Sequence, residues 1–192
     1  PPYLDREPDL LDFEDYQTVY AKVLGSIAAP TAGLHFTEDL LREINLRNIA
    51  TEFLTLHIGM GTFLPIKVQE VENHKMHQER FSVDPQLLRA IKRVRNNNGR
   101  VLTVGTTTLR ALEAFSLIKK KSNEWFETDI FINKGFQFQS TDALLTNFHL
   151  PKSTLLILVS SFLGYDLAKA CYEFAIKEKF NFYSYGDAML II

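Results

Sequence analysis

Val101 to Val104 is a short, mostly apolar run that meets Gly105-Thr106-Thr107-Thr108 and then a helical pattern reaching about Lys120. Strand, glycine and helix in immediate succession make one α/β unit. The rest of the chain agrees with that class. Thr37 is a good N-cap for a helix running to about Asn48. Asp84-Pro85 supplies a cap and a first-position proline for a helix to Asn97, with Gly99 as its stop. Ser153 to Leu163 is apolar nearly all round, as in a buried helix, and Leu167 to Phe180 reads as another.

The strands are shorter and less certain in outline. Ile49 to Ile58 alternates around Phe53, Leu54, Leu56 and Ile58, and Arg80 to Val83 is a short candidate. Asp129 to Gln139 reads as one or two strands, Leu144 to Pro151 as an irregular loop, and Asn181 to Ile192 as a closing extended segment. Phe13, Tyr16, Val19, Tyr20 and Val23 predict a helix from about Phe13 to Lys22, which Gly25 and Pro30 break; Ala28 to Gly33 is a small-residue turn. The expected fold class is therefore α/β, a mixed sheet flanked by helices. Residues 1–14 read as an acidic, proline-containing lead-in or linker and 15–192 as the domain.

Composition narrows the function classes. A chain of 192 residues with 46% hydrophobic content and a net charge of -2 is not a disordered chain. Cys171 is the one cysteine, so neither an internal disulfide nor a cysteine-rich zinc site can form. The longest uncharged apolar stretch, Ser153 to Tyr165, is shorter than the ~18 residues of a membrane span. The chain starts Pro1-Pro2-Tyr3-Leu4, without Met and without the basic or apolar run of a secretory signal. A cytoplasmic location, no membrane contact and membership of a longer polypeptide are the expectations.

The residues that can carry chemistry fall in six places. His74, His77 and Glu79 lie within six residues; H-x-x-H-x-E lacks the i, i+4 pair of a zinc-hydrolase helix, so a general base oriented by a carboxylate competes with a plain solvated loop. Gly59 and Gly61, followed by Thr62, allow close backbone approach to a nucleotide, although a tight turn explains two glycines equally well. At Thr106 and Thr107 the unpaired N–H groups of a helix start favour a carboxylate or phosphate; Arg110, one turn on, can clamp a carboxylate or pair with Glu113. Residues 85–112 contain Arg89, Lys92, Arg93, Arg95, Arg100 and Arg110 and no acid, a candidate phosphate-contacting face that Lys119 to Lys121 would extend, against the alternative of a solvated helix surface. Asn147 and His149 sit in a segment before an apolar helix, and Asp187 in a final turn.

With these residues in view, the chain resembles the S-adenosylmethionine:tRNA ribosyltransferase-isomerases of queuosine biosynthesis. The resemblance rests on Tyr16 to Ala21, Ala28 to Thr37 with His35, Thr55 to Phe63 with His57, His74 to Glu79, Val104 to Thr107, Thr146 to Thr154 and Phe182 to Met189, in family order from about Asp15 to the end. It implies transfer of the ribosyl part of S-adenosylmethionine to 7-aminomethyl-7-deazaguanine (preQ1) in the anticodon arm of tRNA. Epoxyqueuosine-tRNA, adenine and methionine are the products, and S-adenosylmethionine is consumed as a substrate, with no cofactor and no metal.

That chemistry needs a base for an acidified C5′ proton and help for departing adenine. Of the groups available for these roles, His77 with Glu79 is the first choice for the base and His57 the second, with Asp187 or His149 assisting adenine. The substrate is expected at Gly59, Gly61, Thr62, Thr106, Thr107, Arg110, Asn147 and His35, and RNA at Arg89, Lys92, Arg93, Arg95 and Arg100. Family members are longer, with an N-terminal segment and an inserted small β-barrel domain, so the resemblance implies the C-terminal portion of a two-domain protein's main domain, completed by the missing part. Two rivals are a catalytically incomplete fragment that only binds RNA or nucleotide, and a metal-dependent hydrolase built on the histidine cluster.

Overall fold

The computed structural model describes residues 12, 15–26, 28–59, 70–71, 74–118 and 124–192. In chain order they form a 3₁₀ turn (Thr31–His35), α1 (Glu38–Leu46), β1 (Thr55–His57), β2 (Glu79–Ser82), α2 (Pro85–Asn96), β3 (Leu102–Val104), α3 (Thr106–Leu117), β4 (Trp125–Thr128), β5 (Ala143–Asn147), α4 (Thr154–Leu163), α5 (Tyr165–Lys177) and β6 (Ala188–Ile191).

Two caps act as the sequence predicts: Thr37 accepts a hydrogen bond from the Leu40 amide at 3.1 Å and Asp84 from the Gln86 amide at 2.6 Å. Ser153, read from sequence as part of the apolar helix, is a third, accepting from the Leu156 amide at 3.1 Å. The end of α2 differs in one detail. Asn98, at φ 55°, takes the left-handed position, and Gly99 donates back to Val94 O at 2.9 Å.

One mixed sheet was expected, and two three-stranded sheets form instead. β1, β2 and β4 pair antiparallel in that order, with Leu56, Phe81 and Phe126 in register; β3 runs parallel to β5, which pairs antiparallel with β6. Between them lies α3, with nine of its residues buried. Its Ala111, Leu112 and Phe115 join Phe81, Val83, Leu87 and Phe126 in one core, while Leu109 joins Leu144, Leu158, Val159 and Ile191 in the other. A helix packed on two sides has no polar stripe, so it shows little amphipathicity. Phe126 meets Phe81 and Phe115 at ring distances of 5.7 and 5.3 Å, contacts that add about 0.5–1.5 kcal/mol each beyond burial.

Four other expectations change. Of the helix expected over Phe13 to Lys22, Asp15 is helical and the Tyr16 amide donates to Asp12 O at 2.9 Å, but residues 16–22 are not helical: Thr18 to Ala21 is a turn closed by Ala21 N–H to Thr18 O. Of Ile49 to Ile58 only Thr55–His57 is strand. The strand predicted inside 129–139 falls earlier, at β4, because Glu113 gathers the following loop: its carboxylate accepts from the amides of Gln139, Ser140 and Thr141 at 2.8, 3.0 and 3.0 Å. The expected loop at Leu144 to Pro151 begins as β5. The lead-in over 1–14 lies outside the described residues apart from Asp12. Among the described residues no single helix is long and apolar enough to cross a membrane.

Candidate functional site

Parallel strands followed by helices place ligands beyond their carboxyl ends. That is where the main cleft lies, about 240 Å³ and mostly apolar. Its walls are the start of α3, the end of β5 with residues 148–150, the 3₁₀ turn, Ile58 after β1, and Tyr183 with Ser184.

Gly105 turns the chain from β3 into α3 at φ 92° and ψ 142°, a conformation that side-chain-bearing residues avoid. It leaves the helix start without a side-chain cap. Thr106 and Thr107 follow, 5% and 7% exposed, and neither hydroxyl has a hydrogen-bond partner among the described residues. Both line the cleft. The arrangement offers free amide donors, the positive end of a helix dipole and two hydroxyls to one acceptor.

Across the cleft, Asn147 ties three segments together. Its Nδ2 donates to Gly186 O at 3.3 Å and lies 3.2 Å from His35 Nε2, while its Oδ1 accepts from the Thr31 hydroxyl at 2.9 Å. A carbonyl can only accept, so the atom facing Gly186 O is the amide nitrogen, and His35 Nε2 is an acceptor. The 3₁₀ turn and the 183–186 turn are thereby pinned to the same strand end. His149 completes this wall. Its Nε2 is 2.8 Å from Thr146 Oγ1, and its backbone amide donates to the Tyr172 hydroxyl at 3.0 Å. Burial pushes the imidazole down to about 4 and the Tyr172 phenol up to about 12.

Of the residues singled out from sequence, Thr106, Thr107, Asn147 and His149 meet at the cleft, and His35 joins them through Asn147. Gly59 is one residue beyond the lining Ile58, and a Cβ there would meet no atom of the described residues within 4 Å. Gly61, Thr62 and Lys119 to Lys121 lie outside the described residues.

Arg110 is a correction. It is 2% exposed and turned away from the cleft, with Nη1 2.8 Å from Glu79 Oε2 and Nε donating to Ile130 O at 3.2 Å. It pairs neither with Glu113 nor with a ligand in the cleft, because α3 packs on both faces and its buried charge needs a buried partner. Burial lowers its pKa and Glu79 opposes that. Glu79 is corrected with it: its carboxylate is sealed against Arg110, while His77 is exposed. Asp187 is a third correction, since its carboxylate accepts from the Asn181 amide at 2.6 Å and so closes the last turn.

His57 lies on the outer face of the antiparallel sheet, stacked on Trp125 at 4.8 Å, with its Nδ1 buried and unpartnered among the described residues. Arg89, Lys92, Arg93 and Arg100 are exposed, which an RNA face and a solvated helix surface have in common; Arg95 is drawn to Asp142 at 2.6 Å. Among the described residues no three of His, Cys, Asp and Glu gather as a metal cluster. Sequence reasoning passed over Thr31, Thr146 and Tyr172, which hold Asn147 and His149 in place. The signal for Thr146 was its place beside Asn147, hidden by reading that segment as a loop.

Known proteins resemble the chain along its length. A family model described as queuosine biosynthesis protein matches residues 1–191. S-adenosylmethionine:tRNA ribosyltransferase-isomerase of Legionella pneumophila (strain Lens) is 50% identical over 192 residues, which are 100% of this chain and 57% of that protein. The enzyme of the same name from Rickettsia akari (strain Hartford) is 50% identical over 191 residues, 97% of this chain and 51% of its own length. The crystal structure of S-adenosylmethionine tRNA ribosyltransferase from Thermotoga maritima superposes with a TM-score of 0.69 at 37% identity, covering 84% of this chain and 51% of that one. The chain thus spans about half the length of the relatives it matches.

Proposed function

The chain belongs to the queuosine biosynthesis protein family, and on that premise we propose that its cleft takes S-adenosylmethionine for ribosyl transfer to preQ1 in the anticodon arm of tRNA. The products are epoxyqueuosine-tRNA, adenine and methionine, and S-adenosylmethionine enters as substrate, in the cytoplasm. One observation carries this reading: the uncapped start of α3, with the buried hydroxyls of Thr106 and Thr107 that have no hydrogen-bond partner among the described residues, opens into a mostly apolar cleft. The helix start receives the methionine carboxylate, and the apolar wall around Phe148 and Leu155 receives uncharged parts of the nucleoside.

The sulfonium acidifies the C5′ protons, one of which a base must remove before adenine departs and the neutral amine of preQ1 attacks. His77, which is exposed, and then His57, which stacks on Trp125 on the outer face of the sheet, are the candidates for that base. His149, which lines the cleft, ranks ahead of Asp187 for adenine, because the Asp187 carboxylate closes a turn. Arg89, Lys92, Arg93 and Arg100 supply an exposed cationic surface for tRNA phosphates.

The test is chromatography of adenine released from S-adenosylmethionine by this chain with tRNA carrying preQ1. Release that depends on that tRNA supports transfer. A second reading, a portion that binds nucleotide or RNA without turnover, is favoured by the chain's half-length match to its relatives. Binding without adenine release, while a full-length relative is active in parallel, would establish it.

A further inference from the structure

We propose that Thr146 is a positioning residue that decides which nitrogen of His149 carries the ring proton, so that His149 faces the cleft as an Nδ1–H hydrogen-bond donor and is not a base. This deepens the transferase reading, on which the identity of the acceptor rests.

Thr146 Oγ1 lies 2.8 Å from His149 Nε2, and Thr146 is 1% exposed. Among the described residues that nitrogen is the hydroxyl's one partner. A hydroxyl has one donor hydrogen and two acceptor lone pairs. Were it to accept from Nε2–H, its own hydrogen would be left sealed and unbonded, which is costly in a buried site. The hydroxyl therefore donates to Nε2. The imidazole lone pair used there forces the ring proton onto Nδ1. That nitrogen has no partner among the described residues and is not one of the sealed polar atoms, so it opens to the cleft that His149 lines.

The backbone that carries the ring is anchored, because the His149 amide donates to the Tyr172 hydroxyl at 3.0 Å and Phe148 packs edge-on against Tyr172 at 5.4 Å. Burial also keeps the imidazole uncharged at neutral pH. A neutral imidazole N–H gives up its proton reluctantly, so it donates a hydrogen bond and keeps the hydrogen. The ligand it fits is an uncharged acceptor such as a purine ring nitrogen. On departing adenine, electron density builds on that nitrogen, so a fixed donor binds the transition state more tightly than the ground state.

The experiment is 15N NMR of histidine-labelled protein at neutral pH, with His149→Gln to assign the signal. The expected spectrum shows His149 protonated at Nδ1 and bare at Nε2 in the wild type and in Thr146→Ser, whereas Thr146→Val shifts population toward Nε2–H. An Nε2–H wild type overturns the proposal, and so does a Thr146→Val spectrum identical to wild type. If Thr146→Val fails to fold, the wild-type and Thr146→Ser spectra still decide.

In the adenine-release assay Thr146→Val should lower kcat by about 10- to 100-fold, less than the roughly 10²- to 10³-fold of an outright donor loss because the variant shifts the tautomer and leaves the imidazole in place. The KM for S-adenosylmethionine should stay within about 2-fold and Thr146→Ser should restore kcat, since Thr146 holds the donor and not the substrate. A folded wild type with the Nδ1–H pattern and no adenine release defeats the transferase reading alone. Active protein with kcat unmoved by Thr146→Val defeats the positioning role alone.

Discussion

Arg110 Nη1 lies 2.8 Å from Glu79 Oε2, with the two side chains 3% and 6% exposed, so the central helix α3 is locked to strand β2 by an ion pair almost sealed from water. Removing one member leaves the other charge buried. Arg110→Met alone should cost roughly 3–5 kcal/mol, and Arg110→Met with Glu79→Leu should recover most of it, because an apolar pair of similar volume replaces a buried ion pair at little cost. Urea titrations of the two variants check this. Equal losses in the single and double variants would mean that the charge left behind finds water.

His149 gives stability a pH dependence of defined sign. Its pKa falls from the ordinary 6.5 to about 4 through burial. Between those values the unfolded chain holds a proton that the folded one refuses, so stability drops as pH falls from 6.5 to 4 and is level above that window. The full effect is at most about 3 kcal/mol, at about 1.36 kcal/mol per unit. Denaturant midpoints at about pH 7 and about pH 4.5, on either side of most of that change, isolate it in wild type and His149→Gln. The variant should lose less on acidification, and parallel losses would assign the acid sensitivity to other groups.

The pattern of what was legible in the sequence follows from the range of the interactions. Caps were readable at Thr37 and Asp84 because a cap bonds an amide two or three residues away. The cleft residues Thr106 and Thr107 were readable because a helix start announces itself by residue type, whereas Asn147 stood out only as an amide before an apolar helix, its strand having been read as a loop. Arg110 was misread because its partner is in another strand, 31 positions away, and no local spacing reveals Glu79. The strand expected within 129–139 was misplaced for the same reason, since Glu113 claims three loop amides from a neighbouring helix. Two sheets replaced the expected single one because α3 is apolar on both sides, which periodicity alone renders as a weak amphipathic pattern.

Gly186 tests whether the last turn shapes the cleft. A Cβ there would press into Asn181 O and lie 2.5 Å from Phe182 C and O, all backbone atoms that cannot move aside as a side-chain tip could. Gly186 O is also an acceptor for Asn147 Nδ2. Gly186→Ala should therefore destabilise by more than about 2 kcal/mol, a backbone-strain cost plus a weakened buried hydrogen bond. Thermal melts measure the first effect. Loss of the sealed Asn147 side-chain amide signals in NMR exchange experiments reads the second, and an unchanged melt with protected amides would show that the turn adapts.

The exposed cations of α2 make a prediction that separates electrostatic binding from chemistry. Arg89 and Arg93 are exposed on α2, whereas Arg95 is drawn to Asp142 at 2.6 Å. Removing one cation that neutralises a phosphate should reduce the slope of log affinity against log salt by about 0.9 for duplex RNA-like charge density. Arg89→Ala with Arg93→Ala should thus flatten the slope for tRNA by about 2, while Arg95→Ala should change stability more than slope, since the ion pair with Asp142 holds α2 against the segment entering β5. Filter binding across a salt series reads both the double variant and Arg95→Ala. A slope unmoved in the double variant would place the tRNA phosphates on another face. A slope change in Arg95→Ala as large as that of the double variant would mean that RNA displaces Asp142.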